Sequence, residues 1–193
     1  MIIFTVKEEI KMRKTTYFFM LLVWVVLIAP FVGWAENKPK GNPPVITQSF
    51  AVEKAYYGYS WRIYIEAEDP DGDMSKVAVV VDQPGYGRYP TDWTILKGPY
   101  RGKFRGYLQW NTFSRRAGYL SEWTSIEVRV SITDKTGNES NEVIFPFTFE
   151  TGVKNPDHYK LPAPFDQGGL PKLGYIAVDL VEPTSGGDSF RVN

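Results

Sequence analysis

Carboxylates are concentrated in one short stretch of the chain, where Glu66 to Asp73 contains five acidic residues in eight positions. Three of them, Asp69, Asp71 and Asp73, stand at every second position, with a proline and a glycine between them. A calcium ion in a protein is bound by several hard oxygen ligands that converge in a small volume. The spacing therefore indicates a candidate calcium site at Asp69, Asp71 and Asp73, provided that the loop curls around the ion.

Two alternatives to a calcium site are open for the acidic stretch. Asp, Pro and Gly are the residues that a tight turn needs for its backbone angles, and from the sequence we favour such a turn without a ligand. Paired carboxylates also hydrolyse glycosides, but only across a cleft in which burial raises the pKa of one of them. An EF-hand is excluded, because Gly72 follows Asp69 too closely and Val80 stands where the bidentate glutamate belongs.

Aromatic side chains are concentrated between positions 82 and 123, which contain ten aromatic, seven basic and three acidic residues. Glycines and prolines break this span into loops, and loops often carry binding residues. Exposed Tyr, Trp and Arg dominate the binding energy of protein interfaces, and flat rings also stack on sugars. We expect about half of the rings to be buried. We predict a binding surface at Tyr86, Tyr89 and Trp93, with residues 56–59 as a second candidate.

The chain offers little for catalysis. Cysteine is absent, which excludes a disulfide, a thiolate metal site and a cysteine nucleophile. His158 is the only histidine and has no Gly-x-Ser-x-Gly element beside it, so neither a serine–histidine triad nor a zinc site is expected. Neither a phosphate loop nor a dinucleotide fingerprint occurs. We therefore expect a protein that is not an enzyme and that needs no cofactor, apart from calcium in the metal interpretation.

The elements that must position these groups have the alternation of β-strands. The stretches 61–68 and 125–133 each place four apolar side chains on one face. Further strands are predicted at 45–50 and 103–110. The continuous β-branched run at 76–81 indicates a strand at the centre of a sheet or buried on both faces.

The clearest pair of strands is a predicted hairpin of 125–133 with 142–149. A polar turn separates them, and its Gly137 is suited to positive φ. Pro146 cannot donate to a β-ladder, so the second strand should lie at an edge or contain a bulge. No stretch between 45 and 150 repeats apolar residues with a helical period. Short strands separated by turns therefore predict an all-β fold, an antiparallel β-sandwich.

Three motifs resemble those of the immunoglobulin-like and cadherin-like modules of bacterial extracytoplasmic proteins: NPPVI at 42–46, AEDPDGD at 67–73 and VSITDKTGNES at 130–140. Each motif is common, and their order and spacing carry the resemblance. It implies an immunoglobulin-like antiparallel β-sandwich over residues 45–150. It also implies a binding or spacer role outside the cytoplasm, without a particular ligand.

In cadherin-like modules, an Asp-x-Asp pair binds calcium together with acidic residues of the linker and of the neighbouring module. This chain offers Glu53 and Asp134 as helpers, but no acidic linker follows Phe149. The resemblance thus supports the fold and leaves both the calcium site and the plain turn open.

The first 35 residues have the pattern of a targeting segment, because basic residues precede the apolar run at 17–35 and small residues end it. We favour a secretory signal that is cleaved after Ala35, although the run also has the length of an uncleaved membrane anchor. Met12 is a natural start for such a signal, as an alternative to Met1. Residues 36–44 then form a proline-rich linker. Both interpretations place the rest of the chain outside the cytoplasm.

The last part of the chain, residues 151–193, is predicted to be an irregular extension. One strand is expected at 175–181, with Ile176, Val178 and Leu180 on a single face, either at an edge of the sandwich or awaiting a partner.

The charge balance, 22 basic against 22 acidic side chains, disfavours nucleic acid as a partner. The sequence predicts an exported, non-catalytic immunoglobulin-like module for binding or structural spacing in a bacterial cell envelope, whether periplasmic, secreted or anchored in the inner membrane. The expected partner is an envelope protein or glycan, and the membrane is contacted only through residues 17–35 if the signal stays uncleaved. The alternative is a carbohydrate-binding or carbohydrate-active accessory domain, stabilised by calcium.

Overall fold

The computed structural model describes residues 41–153 and 159–182, which belong to one compact unit of the chain. The predicted signal or anchor at 1–35, most of the linker, and His158 lie outside these ranges. The described residues form ten strands: β1 (Val45–Phe50), β2 (Lys54–Ala55), β3 (Ser60–Glu68), β4 (Met74–Gln83), β5 (Gly87–Arg88), β6 (Asp92–Ile95), β7 (Lys103–Asn111), β8 (Ser125–Asp134), β9 (Val143–Phe149) and β10 (Lys172–Tyr175).

Helical structure in the described ranges is limited to a 3-10 turn at Gly98–Tyr100. This agrees with the absence of a helical period from the sequence. Among the same residues, no helix has the length and apolar character that crossing a membrane requires.

The ten strands form two sheets. One has the order β1-β3-β7-β10, and the other the order β2-β9-β8-β4-β5, with β6 also paired to β4. Neighbouring strands are antiparallel except at two edges, where β10 runs parallel to β7 and β2 runs parallel to β9. The orders β1-β3-β7 and β9-β8-β4 correspond to strands A-B-E and G-F-C of an immunoglobulin domain. The predicted immunoglobulin-like β-sandwich is confirmed, with parallel pairing at two of its edges.

The space between the sheets is filled by the apolar face of each strand, as the alternation predicted. The inward residues of β3 and β8 are buried: Trp61, Ile63, Ile65, Ala67, Ile126, Val128, Val130 and Ile132. Phe147 of β9 lies across from them, with its ring centroid 4.5 Å from that of Trp61. Burial of an apolar side chain of this size contributes about 1.5–3 kcal/mol to stability. These rows therefore hold the two sheets together.

The predicted hairpin of β8 and β9 is confirmed. Its turn contains Gly137 at a φ of +92°, which an L side chain rarely adopts. Pro146 is exposed and lies opposite Glu127 of β8, while on its other side β9 pairs with β2 only at Thr148 and Phe149. The proline thus stands where β9 is a free edge, as its missing N–H requires.

Strand β4 occupies the predicted central position, between β8 on one side and β5 and β6 on the other. Val77, Val79 and Val81 point into the core and are fully buried. The opposite face is only partly covered, with Lys76 and Val80 half-buried. Central placement therefore explains the continuous apolar run better than burial on both faces.

The second face of β3 is covered by the segment that follows residue 158. Phe165 is buried, and its ring centroid lies 5.8 Å from that of Tyr64 on this face. Below it, the buried carboxylate of Glu66 accepts a hydrogen bond from Arg105 Nε at 2.9 Å, and Arg105 Nη1 donates to Gln167 Oε1 at 3.3 Å. Residues 165–167 are thus packed against this face of the sheet.

The strand predicted at 175–181 is wrong in position, because the ladder forms at β10, Lys172–Tyr175, beside β7. Two glycines leave room for this pairing. A Cβ at Gly106 would lie 2.6 Å from the backbone carbonyl oxygen of Pro171, and a Cβ at Gly174 would lie 2.5 Å from the side-chain Cγ2 of Thr94.

Residues 176–182 nevertheless pack as the alternation predicted, with Ile176, Val178 and Leu180 all buried. The backbone N of Ile176 still donates to the carbonyl oxygen of Gln109 in β7 at 2.9 Å. Beyond it, the carbonyl oxygens of Val178 and Leu180 accept hydrogen bonds from side chains, from Trp110 Nε1 at 3.0 Å and from Ser114 Oγ at 2.6 Å. Residues 177–182 are therefore held by side chains and not by a strand ladder.

Replacement of Leu180 by alanine should destabilise the sandwich by about 2–5 kcal/mol, because a fully buried leucine leaves a cavity when it is truncated. The measurement is urea unfolding followed by tryptophan fluorescence. Tyr175→Ser, an exposed position of the same segment, is the control and should change stability by about 0.5 kcal/mol or less. Equal stability of wild type and Leu180→Ala would contradict the packing of this segment.

The Glu66–Arg105 pair should make stability depend on acid. The hydrogen bond from Arg105 lowers the pKa of Glu66, so the pair stabilises the fold above the ordinary glutamate pKa, and this contribution is lost as the pH falls through the lowered value. Glu66→Gln should therefore cost about 1–3 kcal/mol at pH 7 and progressively less as the pH falls through the lowered pKa of Glu66, measured by urea unfolding over a series of acidic pH values. Glu68→Gln, whose partner Lys103 is exposed, should show little effect at any of these pH values.

Candidate functional site

Three carboxylates converge at one end of the sandwich. Asp69 follows β3, Asp73 precedes β4 and Asp134 ends β8, and the β4–β8 ladder sets Met74 opposite Asp134. One carboxylate oxygen from each aspartate lies within 4.8 Å of the other two. Asp69 and Asp134 are buried, and Asp73 is half-buried. We call these three residues the acidic cluster.

The turn that was predicted for this stretch is present. The backbone N of Gly72 donates to the carbonyl oxygen of Asp69 at 3.2 Å, and Gly72 has a φ of +71°. The backbone N of Asp71 donates to Asp69 Oδ1 at 2.8 Å. This bonding fixes the direction of the Asp71 side chain, whose carboxylate accepts hydrogen bonds from the backbone N and from Nδ2 of Asn42, at 2.6 and 3.1 Å.

The structure therefore brings together two of the three predicted calcium ligands, Asp69 and Asp73, and places Asp71 beside Asn42 instead. Of the two helper residues, Asp134 joins the cluster. Glu53 does not, because it stands next to β2, where its carbonyl oxygen accepts a hydrogen bond from Thr148 N.

The members of the acidic cluster differ in their electrostatic setting. Burial would raise the pKa of Asp134, but hydrogen bonds from Asn138 and Thr136 outweigh it and lower the pKa. Asp134 Oδ1 accepts from the backbone N atoms of Thr136 and Asn138, each at 2.8 Å, and Oδ2 accepts from Asn138 Nδ2 at 2.6 Å. Burial, followed by the charges of Asp134 and Asp69, raises the pKa of Asp73. Asp134 is thus stabilised as an anion, whereas the raised pKa of the neighbouring Asp73 opposes its ionisation.

Two of the three residues predicted as a binding surface are exposed. Tyr86 lies in the turn before β5, and Trp93 of β6 projects from the outer face of the sheet with Lys76 Nζ 3.9 Å from its ring centroid. A cation over an indole ring at this distance is a favourable contact, so the lysine holds the ring in place.

The third residue, Tyr89, was wrongly predicted to be at the surface, because it is only 5% exposed. Its hydroxyl donates to Gln83 Oε1 and accepts from the backbone N of Val181, the latter at 2.9 Å. Gln83 Nε2 in turn donates to Val181 O at 2.7 Å. Burial raises the pKa of Tyr89 to about 12. Tyr89 therefore joins the C-terminal segment to the sandwich.

Three strongly exposed aromatic rings lie elsewhere, in the loop between β7 and β8. Phe113, Tyr119 and Trp123 are 56%, 68% and 66% exposed. With the exposed Tyr56, they form what we call the end-loop surface. At the base of this loop the Tyr57 ring lies 5.7 Å from Phe113 and 6.2 Å from Phe149.

Trp123 has an unusual backbone conformation, with a φ of +68°. Its backbone N donates to the carbonyl oxygen of Phe149 at 2.9 Å, which holds it in this left-handed region. For a bulky residue this conformation costs on the order of 1–2 kcal/mol. A residue kept in such a conformation while its ring faces solvent suggests a role outside the fold.

The sequence contained part of this result. Phe113, Tyr119 and Trp123 belong to the aromatic span, in which five of the ten rings are exposed and three are buried, fewer than the expected half. Nothing in their spacing distinguished them from Tyr89, because the burial of a loop residue depends on which distant segment packs over it. The stretch 56–59, the second candidate, divides in the same way, with Tyr56 exposed and Tyr59 buried.

A cavity of about 310 Å³ lies between the start of β6 and residues 177–179. Its two carboxylates, Asp92 and Asp179, already bond the fold. Asp92 Oδ2 accepts from the backbone N of Ala177 at 3.0 Å, and Asp179 Oδ2 accepts from Arg115 Nε and Nη2 at 3.2 and 3.1 Å. They are therefore positioned as structural groups and not as an acid–base pair.

No family model and no curated protein matches the chain. Among solved structures, it is similar to the PKD domain of an M14-like peptidase from Thermoplasmatales archaeon SCGC AB-540-F20, with a TM-score of 0.39 and 17% sequence identity. The similarity covers 57% of this chain and 99% of that domain. A likeness of this size carries no functional argument, so the assignment of the fold depends on the strand order described above.

Removal of the Tyr89 hydroxyl should weaken the fold and not a binding surface. Tyr89→Phe leaves the backbone N of Val181 and Gln83 Oε1 without their shared partner, which should cost about 1–3 kcal/mol in urea unfolding. Tyr86→Phe removes an exposed hydroxyl from the neighbouring ring and should change stability by about 0.5 kcal/mol or less. Equal losses in the two variants would show that Tyr89 is not buried as described.

Proposed function

We propose that the protein is a non-catalytic immunoglobulin-like module that binds a protein partner in the cell envelope through its end-loop surface. The observation that carries this proposal is the exposure of Phe113, Tyr119 and Trp123 in a single loop at one end of the sandwich. The targeting pattern in the first 35 residues supports a location outside the cytoplasm.

The loop is built to present these rings. Tyr57 supports it from below, since its hydroxyl accepts a hydrogen bond from Ser114 N at 2.9 Å and donates to the carbonyl oxygen of Ala117. The carboxylate of Glu182 accepts from the backbone N and from the hydroxyl of Ser121. A loop held at several points loses little conformational entropy on binding, which favours a preformed surface.

The composition of the surface favours a protein partner. Arg115 and Arg116 are exposed in the same loop, and Lys54 Nζ lies 5.9 Å from the ring centroid of Trp123. Trp, Tyr and Arg are the residues that contribute most to the energy of protein interfaces. The partner would therefore present an apolar contact rimmed by acidic groups. Stacking on a glycan is the alternative, because sugar rings also bind flat aromatic side chains.

A catalytic role has less support. Among the described residues, the cavity carboxylates Asp92 and Asp179 bond structural groups. The acidic cluster lies at a turn, and its Asp134 is held as an anion by hydrogen bonds that lower its pKa. An acid–base mechanism needs two groups that face a substrate across a cleft. We therefore propose binding without turnover.

The test compares two double variants of the full chain for retention of envelope proteins and of purified peptidoglycan. Tyr119→Ser with Trp123→Gly removes rings from the end-loop surface, and Tyr86→Ser with Trp93→Ser removes rings from the predicted surface. We expect the end-loop variant to retain at least about 10-fold less of a protein that the wild type retains, and the second variant to retain it fully.

Stability serves as the control in this comparison. Glycine adopts a φ of +68° without strain, so Trp123→Gly should leave the melting temperature unchanged or raise it. Loss of retention only in the Tyr86/Trp93 variant would move the binding surface to the predicted site. Retention on peptidoglycan alone would favour the glycan alternative, and equal retention by all three proteins would contradict an aromatic binding surface.

A further inference from the structure

We propose that the acidic cluster, Asp69, Asp73 and Asp134, is an intramolecular calcium site. It joins the β3–β4 turn to the β8–β9 turn at the end of the sandwich opposite the end-loop surface. Calcium binding at this site does not depend on partner binding, and thermal unfolding measures it separately.

The main observation is a buried carboxylate oxygen without a hydrogen-bond donor. Asp69 is only 6% exposed, and its Oδ1 is occupied by the backbone N of Asp71. Its Oδ2 is buried and has no hydrogen-bond partner among the described residues. The same holds for Asp73 Oδ1. Native proteins leave few buried acceptors unpaired, because an unpaired acceptor loses its hydration without compensation.

The charges of the cluster need a counterion. Three carboxylates whose oxygens lie within 4.8 Å repel one another. Arg101 and Lys135 flank the cluster through their backbones, since Arg101 O accepts from Met74 N and Lys135 N donates to Asp73 O. Neither side chain forms an ion pair with the three aspartates in the part of the chain that the structure describes. A bound cation would supply the missing positive charge.

The donor set and its size fit calcium. All three groups are carboxylates, hard oxygen ligands that suit calcium, whereas zinc sites in proteins usually include Cys or His. Calcium–oxygen distances of about 2.3–2.6 Å place ligands on opposite sides of one ion up to about 5 Å apart. The 4.8 Å limit for the cluster is therefore within the reach of a single ion. Asp134 Oδ2, which accepts from Asn138 Nδ2, has a further lone pair for the ion.

The site also explains why Asp71 differs from its neighbours. Asp71 fixes the incoming chain through Asn42, and a Cβ at Gly41 would lie 2.6 Å from Asp71 Oδ2. The two faces of this turn thus contact different parts of the chain. Asp69 and Asp73 face the β8–β9 turn, and Asp71 faces the segment that leads into β1.

The test is thermal unfolding of the full chain in about 10 mM calcium chloride and in EDTA. For extracellular modules with dissociation constants of about 10⁻⁴–10⁻³ M, we expect calcium to raise the melting temperature by about 4 °C or more. Asp73→Asn should lose this rise. It should also melt above the wild type in EDTA, because it relieves the repulsion. This reversal of order is not expected of an aspartate with a purely structural role.

Asp71→Asn is the matched control. It lies in the same turn, outside the cluster, and should keep the full calcium response even if the loss of charge weakens its contact with Asn42. Calorimetric titration of the wild type with calcium provides a second measurement, should Asp73→Asn fail to fold. Identical wild-type melts in calcium and EDTA, a response that Asp73→Asn retains, or an equal response to magnesium would overturn the proposal. Loss of calcium binding with intact partner retention would leave the proposed function in place.

Discussion

The closing of two apolar faces on each other determines the rest of the molecule. Trp61 of β3 and Phe147 of β9 meet across the sandwich, and the inward rows of β3 and β8 are buried around them. Once these rows are in register, a slip by one residue would turn every apolar side chain to the wrong face. The β4–β8 ladder is fixed in the same way, and it brings Asp73 beside Asp134. The acidic cluster is thus a consequence of core packing.

The parts of the fold that follow from local alternation could be predicted from the sequence. β3 and the β8–β9 hairpin each contain enough alternating residues to identify the strand and its inward face, and β1 and β7 were predicted as strands. Gly137 and Pro146 marked the turn and the free edge, because their backbone restrictions have the same meaning in any fold. The turn at the acidic stretch was predictable for the same reason.

The parts that depend on distant segments could not be predicted. Tyr89 is buried because residues near Val181 lie over it, and its own neighbours in sequence give no sign of this. Asp134 was one of two helper residues, and only the β4–β8 register distinguished it from Glu53. The position of β10 depends on Gly106 and Gly174, whose missing side chains matter only once Pro171 and Thr94 lie against them. Alternating apolar residues identify the buried face of a strand. A functional site, in contrast, forms where segments far apart in sequence come together.

The parallel pairing of β10 with β7 has a consequence for how the protein is made. β10 covers an edge of the first sheet that would otherwise offer unpaired backbone groups to another chain, and such edges promote aggregation. This edge is supplied by residues 172–175, long after β7 has left the ribosome. The nascent chain therefore cannot complete this sheet until residues 172–175 have been synthesised. Until then, this edge of β7 lacks its cover and can pair with another chain.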